Sequence, residues 1–131
     1  MGLRIAWLTD IHLNFLGTVQ VGDFINSILD HQPDALLITG DIGESHSLVP
    51  FLQRMAARIA RPIYFVLGNH DFYFSSVGRV RPVVARLARE TPNLFYLPPM
   101  GVVELALGTA LVGVDGWADG RCGSLPAWGC Y

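Results

Sequence analysis

The sequence contains no lysine and few charged residues of any kind. Only 15% of its 131 residues are charged and 51% are hydrophobic, whereas about 25% are charged in an average globular protein. This composition excludes an intrinsically disordered chain, which needs low hydrophobicity and a high net charge. The formal net charge of −2 argues against a protein that binds nucleic acid or anionic membranes through bulk charge.

Cysteines and long apolar runs are also scarce. The two cysteines, Cys122 and Cys130, cannot build a disulfide framework, and their spacing matches no zinc motif. No apolar run reaches the roughly 18 residues that a membrane helix needs, and the short run before Asp10 is no signal peptide. We therefore expect a cytoplasmic protein without a membrane partner.

The hydrophobic pattern alternates between strand-like runs and amphipathic helical stretches. Continuous apolar runs predict buried strands, and apolar residues three and four apart predict helices. The predicted strands are residues 3–9, 35–39, 62–67, 94–97, 102–107 and 109–114. The predicted helices are residues 20–31, 47–60 and 76–90. Strands that alternate with helices of this length indicate βαβ units, a parallel sheet and an α/β fold.

Polar residues follow each of the first three predicted strands. They stand in the segments Thr9-Asp10-Ile11-His12, Gly40-Asp41 and Gly68-Asn69-His70-Asp71. Because right-handed crossovers make parallel strands point the same way, these loops gather at one edge of the sheet. Each segment alone is more typical of a turn or a loop cap, but all three in this order are hard to obtain by chance. We therefore expect one cluster containing Asp10, His12, Asp41, Asn69, His70 and Asp71.

The chemistry of this cluster predicts a metal site. Carboxylates, an imidazole and an amide oxygen form a mixed ligand set that suits manganese, iron or zinc. Without a cation, carboxylates concentrated at one edge would repel one another.

The order of the three segments resembles the calcineurin-like metallophosphoesterases, and Gly68-Asn69-His70-Asp71 is the most specific block. The resemblance covers residues 3–117 and implies the amino-terminal portion of a four-layer αββα metallophosphoesterase sandwich. It also implies a hydrolase that uses two metal ions and an activated water. The implied substrate is a phosphodiester or a small phosphoester, so a nucleic acid would be a partner only as a substrate.

The resemblance assigns the metal ligands. Asp10 and His12 look like ligands of the first metal ion, and Asp41 looks like the carboxylate that bridges both ions. Asn69 looks like a ligand of the second ion. A bridging position suits a carboxylate because it offers charge and lone pairs to both cations, whereas an amide adds an oxygen without charge.

The resemblance also assigns the catalytic residues. His70 looks like the histidine that stabilises the phosphoryl group or protonates the leaving oxygen. Asp71 would orient His70 through the imidazole N–H, as carboxylates behind catalytic or ligating histidines do. The third block ends in aspartate rather than glutamate, which favours the phosphodiesterase or small-phosphoester branch over the protein phosphatases.

The later histidines of the family are absent. The family supplies a further histidine and then a Gly-His-x-His block, but this sequence has no histidine after His70. His31 and His46 precede it at predicted helical positions and are interpreted as surface residues. We therefore expect weak metal binding and little hydrolysis by this chain alone.

The last residues differ from the rest of the chain. Residues 122–131 hold both cysteines and show no helical or strand period, so we interpret them as an atypical tail. We interpret residues 1–131 as a single, incomplete metallophosphoesterase domain that ends prematurely. The apolar surplus would then leave one sheet face uncovered, which predicts self-association.

Two alternatives to an active enzyme stay open. The chain could be a truncated, catalytically impaired fragment, or a non-enzymatic binding module that keeps the fold. Three further features are interpreted structurally. The arginines of the third predicted helix form a solvated face, and Asp115 lies in a turn. The aromatic residues after the third block belong to the core or its rim, with contact to the substrate as the alternative because they directly follow the catalytic block. These arginines are Arg79, Arg81, Arg86 and Arg89, and the aromatic residues are Phe72, Tyr73 and Phe74.

Overall fold

A parallel four-stranded sheet forms the centre of the molecule. The computed structural model describes residues 2–117, and the predicted tail at residues 122–131 lies outside them. The strands stand in the order β1-β2-β3-β4, and every neighbouring pair is parallel. Their bounds are Ile5–Leu8 for β1, Ala35–Thr39 for β2, Ile63–Val66 for β3 and Leu94–Tyr96 for β4. The predicted α/β fold with a parallel sheet is confirmed.

Three helices connect the strands. They are α1 (Thr18–Asp30), α2 (Ser45–Arg58) and α3 (Val77–Glu90). Each buries a stripe of apolar side chains three or four residues apart, which is the spacing that places them on one helix face. The buried residues are Val21, Ile25 and Ile28 in α1, Leu48, Leu52 and Met55 in α2, and Val80, Val84 and Leu87 in α3.

One face of the sheet packs against these helices. Aligned across the four strands, Leu8, Ile38, Phe65 and Tyr96 form a row on this face. Ile38 and Phe65 are fully buried, and the rings of Phe65 and Tyr96 stack at a centroid distance of 5.4 Å. This layer holds the strand ends rigidly in register, and the loops that follow the strands therefore start from fixed positions.

The opposite face of the sheet is apolar and more exposed. Its row runs Trp7, Leu37, Tyr64 and Phe95, and 71% of the surface of Trp7 is open to solvent. Residues 111–114 and Gly116 line a cavity on this face together with Leu37 and Val66. Within the described residues the sheet is therefore covered fully on one face only. Self-association through the other face stays a prediction.

The last two strands form a separate hairpin. β5 (Val103–Ala106) and β6 (Thr109–Leu111) pair antiparallel and do not join the main sheet within residues 2–117. A two-residue connection favours such a hairpin, because parallel neighbours need a long crossover. The predicted strands are thus present, but this pair lies outside the parallel order.

Candidate metal centre

The loops after β1 and β2 run side by side beyond the ends of their strands. The backbone N–H of Asp10 donates to the carbonyl of Gly40 at 3.2 Å, and that of His12 donates to the carbonyl of Asp41 at 2.9 Å. These bonds continue the pairing of β1 with β2 past the sheet edge. The predicted gathering of the loops is therefore built from main-chain hydrogen bonds, which hold Asp10, His12 and Asp41 on one side of the molecule.

The side chain of Asp71 joins the loops after β2 and β3. It is fully buried, and its two oxygens accept four backbone hydrogen bonds of 2.9, 2.9, 3.0 and 2.9 Å. The donors are the N–H groups of Asp41, Ile42, Gly43 and Gly68. One carboxylate therefore satisfies four buried donors that no strand ladder could serve.

Within residues 2–117, the hydrogen bonds that Asp71 makes go to backbone amides. Its role in orienting the His70 imidazole stays a prediction. Burial raises the pKa of Asp71 to about 6, while the N–H groups of Gly43, Gly68 and Ile42 lower it and the nearby charge of Asp41 raises it further. Asp71 thus holds the loops after β2 and β3 together.

Three side chains converge beside this carboxylate. His12, Asp41 and His70 each offer one ligand atom, and these atoms all lie within 4.8 Å of one another. Nε2 of His12 is 3.7 Å from Oδ2 of Asp41, and the rings of His12 and His70 meet edge to face at 4.8 Å. Oδ1 of Asp41 accepts the backbone N–H of His70 at 3.0 Å, which fixes the carboxylate relative to the third loop.

The donor set fits a divalent cation. Two imidazoles and a carboxylate are the nitrogen and oxygen ligands that zinc, iron and manganese accept. Nδ1 of His12 is buried and has no hydrogen-bond partner within residues 2–117. Such an orphaned polar atom is costly in a finished site. The cluster therefore has the chemistry and the unsatisfied donor capacity of a metal site.

Asp10 and Asn69 lie at the same edge but make other contacts. Asp10 is exposed, its carboxylate accepts the hydroxyl of Thr9, and it stands outside the group of three donors. The amide nitrogen of Asn69 donates to the hydroxyl of Tyr73 at 3.4 Å. That bond uses the NH2 group of the side chain. The side-chain oxygen, which is the atom that would bind a metal ion, does not take part in it.

Several residues of the cluster have an unusual backbone. Asp10, His12 and Asp41 have φ values of 51°, 40° and 52°, in the left-handed region that residues other than glycine rarely adopt. Each such residue costs on the order of 1–3 kcal/mol and persists only where its surroundings hold it, typically at functional sites. The hydrogen bonds between the loops supply that restraint.

Two glycines allow the loops to approach so closely. A Cβ on Gly68 would lie 2.2 Å from Oδ1 of Asp41. Gly40 has a φ of 94°, and a Cβ there would lie 2.6 Å from the nitrogen of Gly68. Both contacts are far inside van der Waals distance, so the glycines of these two motifs are required by space as well as by conformation.

Tyr73 contacts two of the predicted site residues. Its ring packs against the imidazole of His70 at a centroid distance of 4.3 Å, and its hydroxyl accepts the amide of Asn69. The interpretation of Tyr73 as a residue of the core or its rim does not include these contacts, and 43% of its surface is exposed. The sequence could have indicated the contact with His70, because Tyr73 stands three residues after it, which is about one helical turn.

Asp115 anchors the start of the third loop. Its buried carboxylate accepts the N–H of Leu67 at 2.8 Å, the Nε–H of Arg81 at 2.8 Å and the hydroxyl of Tyr96. The hydrogen bond to Asp115 raises the pKa of Arg81, and burial raises the pKa of Tyr96. The interpretation of Asp115 as a turn carboxylate and of Arg81 as purely solvated is therefore wrong. The exposed Arg86 pairs only with Glu90 of its own helix among the described residues, as a solvated helix face predicts.

The sequence is similar to proteins of known family. Over 82 residues it is 33% identical to a "Transmembrane protein with metallophosphoesterase domain" from Danio rerio, which covers 58% of this chain and 18% of that protein. A protein of the same name from Bos taurus is 33% identical over 57% of this chain and 18% of its own length. A "Probable cyclic nucleotide phosphodiesterase" from Pseudoalteromonas sp. (strain SM9913) is 33% identical over 53% of this chain and 31% of its own length.

The chain thus spans less than a third of the length of the curated relatives that it matches. Across residues 2–117, no helix has the length and apolar character to cross a membrane. The cytoplasmic location stays a prediction, since two relatives are named as transmembrane proteins. His31 and His46 are exposed, as predicted.

The sequence model of the calcineurin-like phosphoesterases matches residues 3–117, and the chain belongs to that family of metal-dependent hydrolases.

Proposed function

We propose that the protein hydrolyses a phosphodiester or a small phosphoester by means of a dinuclear metal centre and an activated water. The observation that carries this proposal is the convergence of His12, Asp41 and His70 within 4.8 Å. These residues belong to three separate loops of a family whose members are phosphoesterases. The similarity to a relative named as a cyclic nucleotide phosphodiesterase supports a phosphodiester as the substrate.

The proposed ligands are divided between two cations of manganese, iron or zinc. Asp10 and His12 would hold the first cation, Asp41 would offer its carboxylate to both, and Asn69 would hold the second. Asp41 suits the bridging role because, within residues 2–117, its carboxylate accepts a single backbone N–H, that of His70. Asn69 suits its role because its side-chain nitrogen, and not its oxygen, donates to the hydroxyl of Tyr73. Asp10 needs only a side-chain rotation to leave the Thr9 hydroxyl, since it is exposed.

The catalytic work falls to the chain around His70. Two bound cations supply a Lewis acid for the phosphoryl oxygens and lower the pKa of a shared water. His70 stabilises the phosphoryl charge or protonates the leaving oxygen, a contribution of about 10²–10⁴-fold. Two contacts hold His70 in place: the ring of Tyr73 packs on its imidazole, and its backbone N–H donates to the carboxylate of Asp41. Asp71 keeps the loops together.

Titration of Mn²⁺ into the purified protein tests the proposed ligands. Because we expect this chain alone to bind metal weakly and to hydrolyse little, Asp41→Ala should abolish the remaining Mn²⁺ binding and whatever metal-dependent hydrolysis of bis(p-nitrophenyl) phosphate wild type shows. Asp23→Ala, which removes an exposed carboxylate from α1, should leave both unchanged. If Asp41→Ala binds Mn²⁺ as wild type does, the proposed bridging role is wrong.

His70→Ala separates catalysis from ligation. The proposal expects a large loss of turnover with the Mn²⁺ content retained, because His70 acts on the substrate. A parallel loss of metal and rate would make His70 a third ligand beside His12 and Asp41, a role that the 4.8 Å grouping would accommodate.

A further inference from the structure

A cavity of about 200 Å³ opens between the first turns of α2 and α3. Its floor is apolar, and its rim carries Ser45, His46, Phe74 and Arg79. Helices that follow parallel strands begin at the carboxyl edge of the sheet, so the cavity lies at the same edge as the metal loops.

The main chain ties this cavity to the metal centre. The carbonyl of Tyr73 accepts the hydroxyl of Ser45 at 2.6 Å, while the ring of the same tyrosine packs on His70. Phe74 is four residues beyond His70, and four residues of extended chain reach at most about 14 Å. The Cα atoms of His70 and Phe74 are therefore at most about 14 Å apart, which brings the cavity within reach of the metal centre.

Phe74 is the most unusual residue of the cavity. Its side chain is 82% exposed, and its backbone has a φ of 65°, which is a genuine outlier for a bulky residue. The protein thus holds an aromatic ring in water and in a strained conformation. Such strain, once observed, is a reason to look for a functional contact.

The chemistry of the rim indicates what this ring contacts. The His46 ring lies 6.1 Å from that of Phe74, and the exposed guanidinium of Arg79 adds a cationic donor. Flat aromatic faces with hydrogen-bond donors suit a heteroaromatic base, which stacks on aromatic residues whatever its identity. The volume is below the roughly 300–1,000 Å³ of pockets for larger ligands, so it suits one ring system rather than a long acyl chain.

We propose that this cavity binds the nucleobase of a nucleotide substrate, with Phe74 as the stacking residue. This inference rests on the proposed function, because it places the phosphoryl group of the same molecule at the metal centre. It makes Phe74 a specificity residue, so its loss should affect the preference for a base and leave the handling of phosphate unchanged.

Binding of two phosphonates to the Mn²⁺-loaded protein tests this inference. The probes are the phosphonate analogues of adenosine monophosphate and of ribose 5-phosphate, in which carbon replaces the hydrolysable ester oxygen. In wild type we expect the adenosine compound to bind about 5-fold to 150-fold more tightly, the range that base stacking supplies. Phe74→Leu should remove this preference without weakening the ribose compound, and Phe74→Tyr should restore it.

Phe15→Leu is the matched control. Phe15 is also exposed, at 74%, and packs near His12 on the other side of the cluster, at 5.7 Å. If Phe15→Leu rather than Phe74→Leu removes the preference, the base binds elsewhere and the inference is wrong. Equal affinity for both phosphonates in wild type, or tighter binding of octyl phosphonate, would also overturn it while leaving the proposed function intact. If neither sugar phosphonate binds the metal-loaded protein, the proposed function fails and this inference fails with it.

Discussion

Asp41 and Asp71 are both buried aspartates at the same sheet edge, but their oxygens are used differently. Asp71 accepts four backbone N–H groups. Asp41 accepts one, from His70, and turns its other oxygen toward His12 at 3.7 Å. A buried carboxylate that is saturated with hydrogen bonds serves the structure, whereas one with free lone pairs can still bind a ligand.

The two carboxylates also depend on each other. The backbone N–H of Asp41 donates to Asp71, and the negative charge of Asp41 raises the pKa of Asp71. Asp71 thus fixes the main chain from which the Asp41 side chain projects. Substitution of Asp71 should therefore lower stability, whereas substitution of Asp41 should weaken metal binding.

The largest effect is expected from Asp71→Asn. An asparagine has one accepting oxygen, and its NH2 group would face backbone N–H donors. Leaving two buried backbone N–H groups without an acceptor should lower the free energy of unfolding by about 2–6 kcal/mol. Urea denaturation measures this loss.

Asp41→Asn is the matched variant for this comparison. It disturbs a single hydrogen bond and removes the repulsion between the two carboxylates, so the free energy of unfolding should change by less than about 1 kcal/mol. Its Mn²⁺ affinity should fall strongly. If Asp41→Asn destabilises the protein as much as Asp71→Asn does, the distinction between a structural and a ligating carboxylate does not hold.

An intermediate effect is expected from Gly68→Ala, because Gly68 serves both carboxylates. Its N–H donates to Asp71, and its missing Cβ leaves room for Asp41. A methyl group 2.2 Å from Oδ1 of Asp41 must displace that side chain. We expect the free energy of unfolding to fall by about 1–3 kcal/mol and Mn²⁺ affinity to fall more than tenfold.

Gly78→Ala provides the control for this substitution. A Cβ on Gly78 would meet no atom within 4 Å, and alanine is the better helix former in α3. The control should gain about 0.5–1 kcal/mol and keep its Mn²⁺ affinity. Unchanged Mn²⁺ affinity in Gly68→Ala would show that the close approach of Gly68 to Asp41 is not needed for binding.

The fold and the position of the site were predictable because they depend on periodic or ordered features. The apolar stripe of α3, for example, has Val80, Val84 and Leu87 at helical spacing, and the parallel strand order alone brings the loops together. The role of Asp71 was not predictable in this way. Its partners are backbone N–H groups up to 30 residues away. Because almost every residue type carries the same backbone N–H, the sequence does not mark these partners.

The same limit applies to the strained backbone and to Asp115. Aspartate and histidine adopt a left-handed φ more often than most residues other than glycine, but they still do so rarely. The residue types of Asp10, His12 and Asp41 alone therefore do not predict it. Asp115 meets Leu67 and Arg81 through tertiary contacts that span 48 and 34 residues of chain. Long-range hydrogen bonds between unlike elements have no period that a single sequence reveals.

The smallest effect is expected from Tyr73→Phe, which extends the comparison to Asn69. Like Asp41, Asn69 has an oxygen to offer, because the hydroxyl of Tyr73 takes its amide nitrogen. Removing that hydroxyl lets the amide rotate, so Mn²⁺ affinity should fall about 2-fold to 10-fold, the equivalent of one hydrogen bond of roughly 0.5–1.5 kcal/mol. The free energy of unfolding should stay unchanged, because the side chain is 43% exposed. Tyr73→Leu also removes the ring from His70 and should slow turnover in addition. If Mn²⁺ titration gives the wild-type affinity for Tyr73→Phe, the hydroxyl does not orient Asn69, and the tyrosine acts on His70 alone.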